Sequence, residues 1–467
     1  MTEQTANVDL SLRSPAQRSR TFTGILVNTA AANITTSYLW FALTFWVYLE
    51  TRNVIATGVV GGAYMLLIAV SSISFGTFVD RYRKLVVMRF AAAFTLLMFT
   101  ISGVVFLLVP TAALLDLGQP WFWAFTLIIL VGAVVENMRN IALSTTVTIL
   151  IEPDRRANAN GLVGMVQGLM FIVTSVLSGL SVGLVGMGWT IVIALVLTAL
   201  AYAHLLTLRM PEELRPAVTD AKGSFDLRGS YAAVVAISGL FALIIFSTFN
   251  NFVGGVYMAL MDPYGLEMFP VELWGTFFAV AATGFIIGGA LVGKFGLGAN
   301  PLRTMLIAVA VMGVLGALFT IREWPWLYIA GIWLYLTLVP IVEAAEQTVI
   351  QQVVPLPRQG RVFGFAMAFE SAAAPITAFL IAPIAQFWII PYARSESGAA
   401  QLEPLLGEGT SRGIALVFLV AGVIMILAAL FAFLTPVYRR VSASYKEKAA
   451  EEAAAESTTA EATADEG

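Results

Sequence analysis

The chain has no cysteine and a single histidine, His204, in 467 residues. The first absence excludes disulfides, thiolate metal sites and thiol nucleophiles. The second excludes a multi-histidine metal centre and any histidine-based triad of the usual kind. No cofactor and no metal are therefore expected, and no enzyme activity. Charge is scarce too. Asp, Glu, Lys and Arg make up 12% of the chain, about half the ~25% usual for a soluble domain. Hydrophobic residues make up 59%, and the mean hydropathy is +0.85. No water-soluble core can hide that much apolar surface, so the composition specifies an integral membrane protein. There is no P-loop sequence, which argues against direct nucleotide drive. The bases are not interleaved with aromatic stacking platforms, which argues against a nucleic-acid partner.

What the sequence does have is a succession of apolar stretches. Each approaches or exceeds the ~20 residues that a bilayer core requires. Twelve can be read, at 22–50, 54–79, 85–109, 121–150, 161–187, 189–208, 231–260, 271–293, 302–321, 326–353, 362–391 and 413–436. The expected fold is an all-α membrane protein of twelve transmembrane helices in two six-helix bundles, 22–208 and 231–437. A polar linker at 209–230, with Pro211, Pro216 and Gly223, separates the bundles. Residues 1–21 form a polar amino-terminal segment, and no cleaved signal is expected. Residues 438–467 form a tail that ends in six acids (Glu451, Glu452, Glu456, Glu461, Asp465, Glu466) and is expected to be disordered.

Charge sets the orientation. With a cytoplasmic amino terminus, Arg52, Arg322, Arg394 and Arg412 fall outside and Arg139 falls mid-span. All the others of the 26 Lys and Arg fall inside. This bias predicts a multi-pass protein of the cell membrane with both termini cytoplasmic. Trp46, Trp121, Trp123, Trp189, Trp274, Trp324, Trp326 and Trp388 lie near the expected outer ends, where an indole suits the interface. The halves echo each other: Thr146-Val147 through Pro153 lines up with Thr348-Val349 through Pro355.

The loop after the second span reads Gly76-Thr-Phe-Val-Asp80-Arg81-Tyr82-Arg83-Lys84. A glycine at a helix end permits close packing. Asp80 can accept hydrogen bonds from the first amides of a neighbouring helix, and Arg81 and Arg83 can pair with acids or lipid phosphates. The Gly-x3-Asp-Arg spacing, with Lys84 following, resembles the signature of the major facilitator superfamily, although Arg83 replaces its second glycine. That resemblance implies a cytoplasmic latch made by Gly76, Asp80, Arg81, Arg83 and Lys84. The second half carries only Gly289-Ala-Leu-Val-Gly293-Lys294, without the acid. The stretches Glu152–Gly161 and Val354–Gly364 resemble loops of the drug:proton antiporter branch that holds macrolide-efflux-type permeases. That branch often carries a Gly-Pro signature in its fifth helix. Here the fifth span has Gly161, Gly164, Gly168, Gly179 and Gly183 but no proline, whereas Pro375 lies in the eleventh.

Ionisable groups within spans are expensive and mark pathways or partners. The fourth span carries Glu136 and Arg139, spaced to share a helix face. Arg139 lies ~16 Å from the inner end of that span. The tenth carries Glu343 and Glu346, again i,i+3, and two carboxylates this close do not both ionise cheaply. The eleventh carries Glu370, ~10 Å from Phe363. These five residues are candidates for proton coupling, with static pairing as the other reading. The first span offers Asn28, Asn33 and Tyr38, and the seventh offers Asn250, Asn251 and Tyr257 among phenylalanines. In the family resembled these two spans line the cavity, and amides among rings suit a large, mainly apolar ligand. His204 reads as an interfacial residue. The expected activity is export of an amphipathic small molecule by alternating access in exchange for protons, by a monomer among membrane lipids. Import or facilitated passage of a polar solute stays open, as does export of a siderophore or a lipid.

Overall fold

The computed structural model describes residues 14–51, 54–210, 227–407 and 411–465. Arg13, Arg52, Arg215 and Lys222 of the charge map, and most of the 209–230 linker, lie outside the described residues. Within them the chain runs α1 (Pro15–Thr51), α2 (Val54–Arg81), α3 (Lys84–Leu108), short α4 (Thr111–Leu115), α5 (Pro120–Glu136), α6 (Met138–Leu150) and α7 (Arg156–Thr207). It continues through α8 (Leu227–Val235), α9 (Leu240–Met268), α10 (Val271–Phe295), α11 (Pro301–Leu318), α12 (Pro325–Val353) and α13 (Leu356–Ile384). It ends with α14 (Ile390–Arg394), α15 (Glu396–Leu406), α16 (Arg412–Leu434) and α17 (Pro436–Asp465).

Ten of the described helical stretches are long and apolar enough to cross a membrane. One of them covers the fifth and sixth spans together, because the helix runs through Gly186 with only that residue non-helical (φ 77°, ψ 170°). Only glycine adopts that left-handed φ at no steric cost. The expected fourth span is two helices, α5 and α6. At Asn137 the chain makes i−3 bonds, Asn137 N–H to Val134 O and Asn140 N–H to Asn137 O. The Asn137 amide also reaches the Ala133 carbonyl (3.4 Å), competing with the helical ladder. The expected seventh span is likewise broken. Gly239 (φ 85°) caps the start of α9, where a Cβ would sit 2.3 Å from Val441 Cγ2. Beyond Pro383 the eleventh span loosens into a π turn, Ala385–Ile389.

The chain forms two compact units. One comprises 1–151, 170–233 and 356–368, and the other 152–169, 234–355 and 369–467. The division therefore differs from a simple cut at the linker, since each unit takes the first turns of one helix from the other half of the sequence. Glycine is the reason in both cases. α10 carries two glycine pairs on different faces. Gly284 and Gly288 meet α12, where added Cβ atoms would lie 2.5 Å from Trp333 O and 1.9 Å from Thr337 O. Gly289 meets the start of α7, where a Cβ would lie 2.2 Å from Met165 N. Small residues four apart let membrane helices touch backbone to backbone.

Rings fill the rest. In the first unit Trp46 packs edge-on against Phe106 and Phe125, within a core of Leu39, Phe99, Phe122 and Ile129. In the second, Tyr257 stacks on Phe418 with centroids 5.1 Å apart, and Tyr264 packs on Tyr328. In the tail, α17 continues as backbone helix to Asp465, which its Ala, Glu and Lys content favours. Two alanine substitutions should separate overpacking from mere helix propensity. Gly288→Ala should lower the unfolding free energy of the purified protein by about 1–3 kcal/mol. Gly179→Ala, with nothing within 4 Å, should leave it unchanged or raise it by up to about 1 kcal/mol; thermal unfolding of both in one detergent checks this.

Candidate functional site

Three polar clusters interrupt the apolar packing. The first, in the first unit, surrounds Arg139, which is completely buried. Its Nε donates to Glu136 Oε1, forming an ion pair. Its Nη1 donates to Asn28 Oδ1 (2.7 Å). Asn28 Nδ2 donates to the Ala201 carbonyl (2.8 Å) and lies 3.0 Å from His204 Nδ1. The one hydroxyl proton of Thr95 has two acceptors in reach, Glu136 Oε2 (3.1 Å) and Gly132 O (2.8 Å). One buried charge pair thus ties α1, α3, α5, α6 and α7. Only Arg139 Nη2 lacks a partner. Burial of an ion pair is tolerated when its remaining donors and acceptors are met in this way.

Beside it runs an amide ladder. Asn33 Nδ2 donates to Asn140 Oδ1 (2.8 Å), Asn140 Nδ2 to Asn137 Oδ1 (3.3 Å), and Asn137 Nδ2 to Tyr64 OH (3.5 Å). Trp40 stacks on Tyr64 at 4.5 Å. Asn137, Asn140 and Tyr64 are not among the sequence candidates. The signal was present in the spacing Glu136-Asn137-x-Arg139-Asn140, which places amides on the face beside the charges. Several cavity candidates sit elsewhere. Asn28 is fully buried within the Arg139 network. Tyr38 is buried in the core with its hydroxyl unpartnered. Tyr257 is buried among rings, its hydroxyl donating to Phe418 O (3.2 Å). Asn33, Asn250 and Asn251 are half-buried.

The second cluster, in the second unit, is acidic. Glu346 is buried, and the carboxyls of Glu370 and Glu343 lie near enough to interact with it electrostatically. Glu343 itself is exposed on α12. The Oε1 atoms of Glu346 and Glu370 have no partner. Among the described residues, no Lys or Arg pairs with these three acids. The structure thus brings together Glu346 and Glu370 from different helices, a juxtaposition that helical spacing within one span cannot show.

The third surrounds Asp80. Asp80 Oδ1 accepts the Gly360 N–H (2.7 Å) and Oδ2 the Arg361 N–H (2.9 Å), with Arg361 Nε 3.9 Å away. Gly76 lies against Gly360, where a Cβ would come 2.2 Å from its carbonyl oxygen. Gly364 lies against Ser72, where a Cβ would come 2.4 Å from that carbonyl. Lys84 Nζ caps the end of α2 at Val79 O (2.9 Å), a favourable place for a cation. Arg81 is half-buried, and Arg83 is exposed at the start of α3. The corresponding joint in the second unit lacks the acid. There Gly161 meets Gly293, where a Cβ would come 2.4 Å from its nitrogen. Asn158 Nδ2 donates to the Gly293 carbonyl (3.1 Å). Asn160 joins Thr348 and Gln351 at 2.8 Å each. The first joint centres on a carboxylate and the second on amides, with buried Arg156 Nη1 donating to Gln352 Oε1 (3.0 Å).

Comparison with known proteins gives the family and the fold. The model of the Major Facilitator Superfamily matches residues 25–378. Macrolide efflux protein A of Streptococcus pyogenes is 23% identical over 373 residues, spanning 77% of this chain and 88% of that protein. Among solved structures, the human organic anion transporter MFSD10 (TETRAN) superposes with a TM-score of 0.65 at 14% identity, over 90% of this chain and 99% of that one. A bacterial homologue of the iron transporter ferroportin, in an outward-facing state, gives 0.63 at 14% identity, over 88% and 99%. At these identities the structures share the fold.

The first cluster generates a stability prediction. Glu136→Gln leaves the Arg139 guanidinium buried without its counter-ion and should cost about 3–5 kcal/mol. Thr95→Val should cost about 1 kcal/mol. Glu136→Gln combined with Arg139→Met should recover most of the loss. Denaturation of the purified variants, read as a double-mutant cycle, checks all three.

Proposed function

The chain belongs to the Major Facilitator Superfamily, and on that premise we propose that this transporter exports amphipathic, drug-like small molecules by alternating access, in exchange for protons. The observation that carries the proton half is the Glu346–Glu370 pair. Two neighbouring buried carboxyl groups with no basic partner cannot both ionise cheaply, so the pair favours holding a proton. Glu343, exposed one turn before Glu346, is the entry point for protons. A substrate or an open cavity that changes the hydration of the pair changes its proton count, which couples the two fluxes. The Glu136–Arg139 pair is the more nearly satisfied cluster, and we assign it first to holding its unit together.

The amphipathic substrate class follows from the relationship to macrolide efflux protein A and from the company of the polar groups. Asn33 and the Asn137–Asn140 ladder lie beside Trp40 and Tyr64. Asn250 and Asn251 lie among Phe246, Phe249 and Phe252. Scattered amides among rings bind large, mainly apolar molecules. The charge bias supports cytoplasmic termini and residence in the cell membrane, and a monomer suffices for the cycle. Opening of the Asp80 joint frees the first turns of α13 from α2 and forms part of that cycle. A polar solute is the second reading, supported by Asn250, whose Oδ1 has no partner; counterflow of a labelled sugar in proteoliposomes would favour it.

The test is accumulation of ethidium and of a labelled macrolide in cells expressing the protein, with and without a protonophore. Expression should lower accumulation, and the protonophore should abolish the difference. Glu346→Gln and Glu370→Gln should each slow efflux by about tenfold or more at equal membrane abundance. Uphill efflux that survives the double variant would remove proton coupling through this pair. Unchanged accumulation of both compounds would remove the amphipathic substrate class.

A further inference from the structure

Two hollows adjoin in the second unit, at the basic end of its helices. One is apolar, about 400 Å³, and is walled by Ile245 and Phe249 of α9, Leu306 of α11, and Ala428 and Phe431 of α16. The other is polar, about 750 Å³, and is walled by Asn300, Arg303, Arg439, Ser442 and Lys446. Tyr438 lines both. Phe431 is 71% exposed at the rim of the apolar hollow, and in a membrane-spanning bundle an exposed apolar rim faces acyl chains. The cations of the polar hollow are exposed. Among the described residues no acid lines it, and none pairs with Arg303, Arg439 or Lys446.

The polar hollow has a defined floor. Asn300 Oδ1 accepts the Arg303 N–H (3.2 Å), and Asn300 Nδ2 donates to Ser442 Oγ (2.7 Å), tying α17 to the first turn of α11. The positive end of the 18-residue helix α11 is therefore directed at the same space as the three cations, and both attract an anion.

We propose that these hollows bind one anionic phospholipid, with an acyl chain in the apolar hollow and the phosphate among Arg303, Arg439 and Lys446. Charge complementarity selects the headgroup, and the adjoining apolar cleft selects a lipid over a free phosphate. Tyr438, which borders both, has the apolar body and polar tip of an interfacial side chain. The usual inner excess of Lys and Arg supplies charge, but it does not supply an apolar cleft continuous with it. Basic pockets between membrane helices are the sites where anionic headgroups bind.

The test is native mass spectrometry of the full chain with equimolar phosphatidylglycerol and phosphatidylcholine of the same acyl composition. One phosphatidylglycerol should be retained over phosphatidylcholine by about tenfold, and removing the three cations by Arg303→Gln, Arg439→Gln and Lys446→Gln should lower retention by about tenfold or more. Filling the cleft by Ala428→Trp with Ala432→Trp, at unchanged charge, should do the same. The matched control, Arg155→Gln with Arg209→Gln and Arg228→Gln, should retain lipid like the parent. Equal loss in the control and the triple variant would reduce the effect to general attraction and overturn the proposal. So would undiminished retention in the filled cleft, or absence of headgroup preference. Retention that appears only after deletion of residues 451–467 would assign the hollow to the acidic tail and overturn it as well.

Discussion

Asp80 accepts two backbone N–H groups, those of Gly360 and Arg361, and the approach that permits this depends on three missing side chains. A Cβ at Gly76, Gly360 or Gly364 would come within 2.6 Å of an atom of the opposing segment. Without those glycines α2 and α13 would stand apart and the carboxylate would not reach. The bond is charge-assisted and in a poorly hydrated place, so it is worth more than a surface contact. It is also reversible, because its partners are backbone amides that water can serve equally well when the joint opens.

The second unit solves the same problem differently. Gly161, Gly168, Gly289 and Gly293 bring α7 and α10 together, but the polar contact is the amide of Asn158 on a carbonyl. The first joint centres on a carboxylate, and the second on amides with one buried cation, Arg156, donating to Gln352. The carboxyl pair of Glu346 and Glu370 occupies the second unit, and the Arg139 network, ion-paired with Glu136, the first. In the account proposed above, the charge that moves and the charge that holds lie in different units.

The helical plan was legible from hydropathy because a bilayer demands long apolar runs, and helix ends fall within a few residues of the expected ones at α3, α12 and α16. Asp80 and Gly76 were legible because their spacing carries a packing and capping logic. The start of α7 and of α13 crossing into the other unit was not, since backbone contact through glycines leaves no periodic trace of its partner. The breaks at Asn137 and Gly239 were hidden for a related reason: both lie inside apolar stretches that hydropathy reads as continuous. Asn28 and Tyr257 were placed by their polar groups, which the structure engages with Arg139 and the Phe418 carbonyl. A single sequence shows that an amide lies within the membrane but not which buried group claims it.

The most direct measurement is hydrogen–deuterium exchange of residues 356–364 in the parent and in Asp80→Asn, with residues 156–164 as the internal reference. The account predicts faster exchange in the first segment of the variant and no change in the second, since only the Asp80 joint has lost an acceptor. Equal exchange in both proteins across residues 356–364, or an equal rise in both segments, would contradict the claim that Asp80 closes this joint.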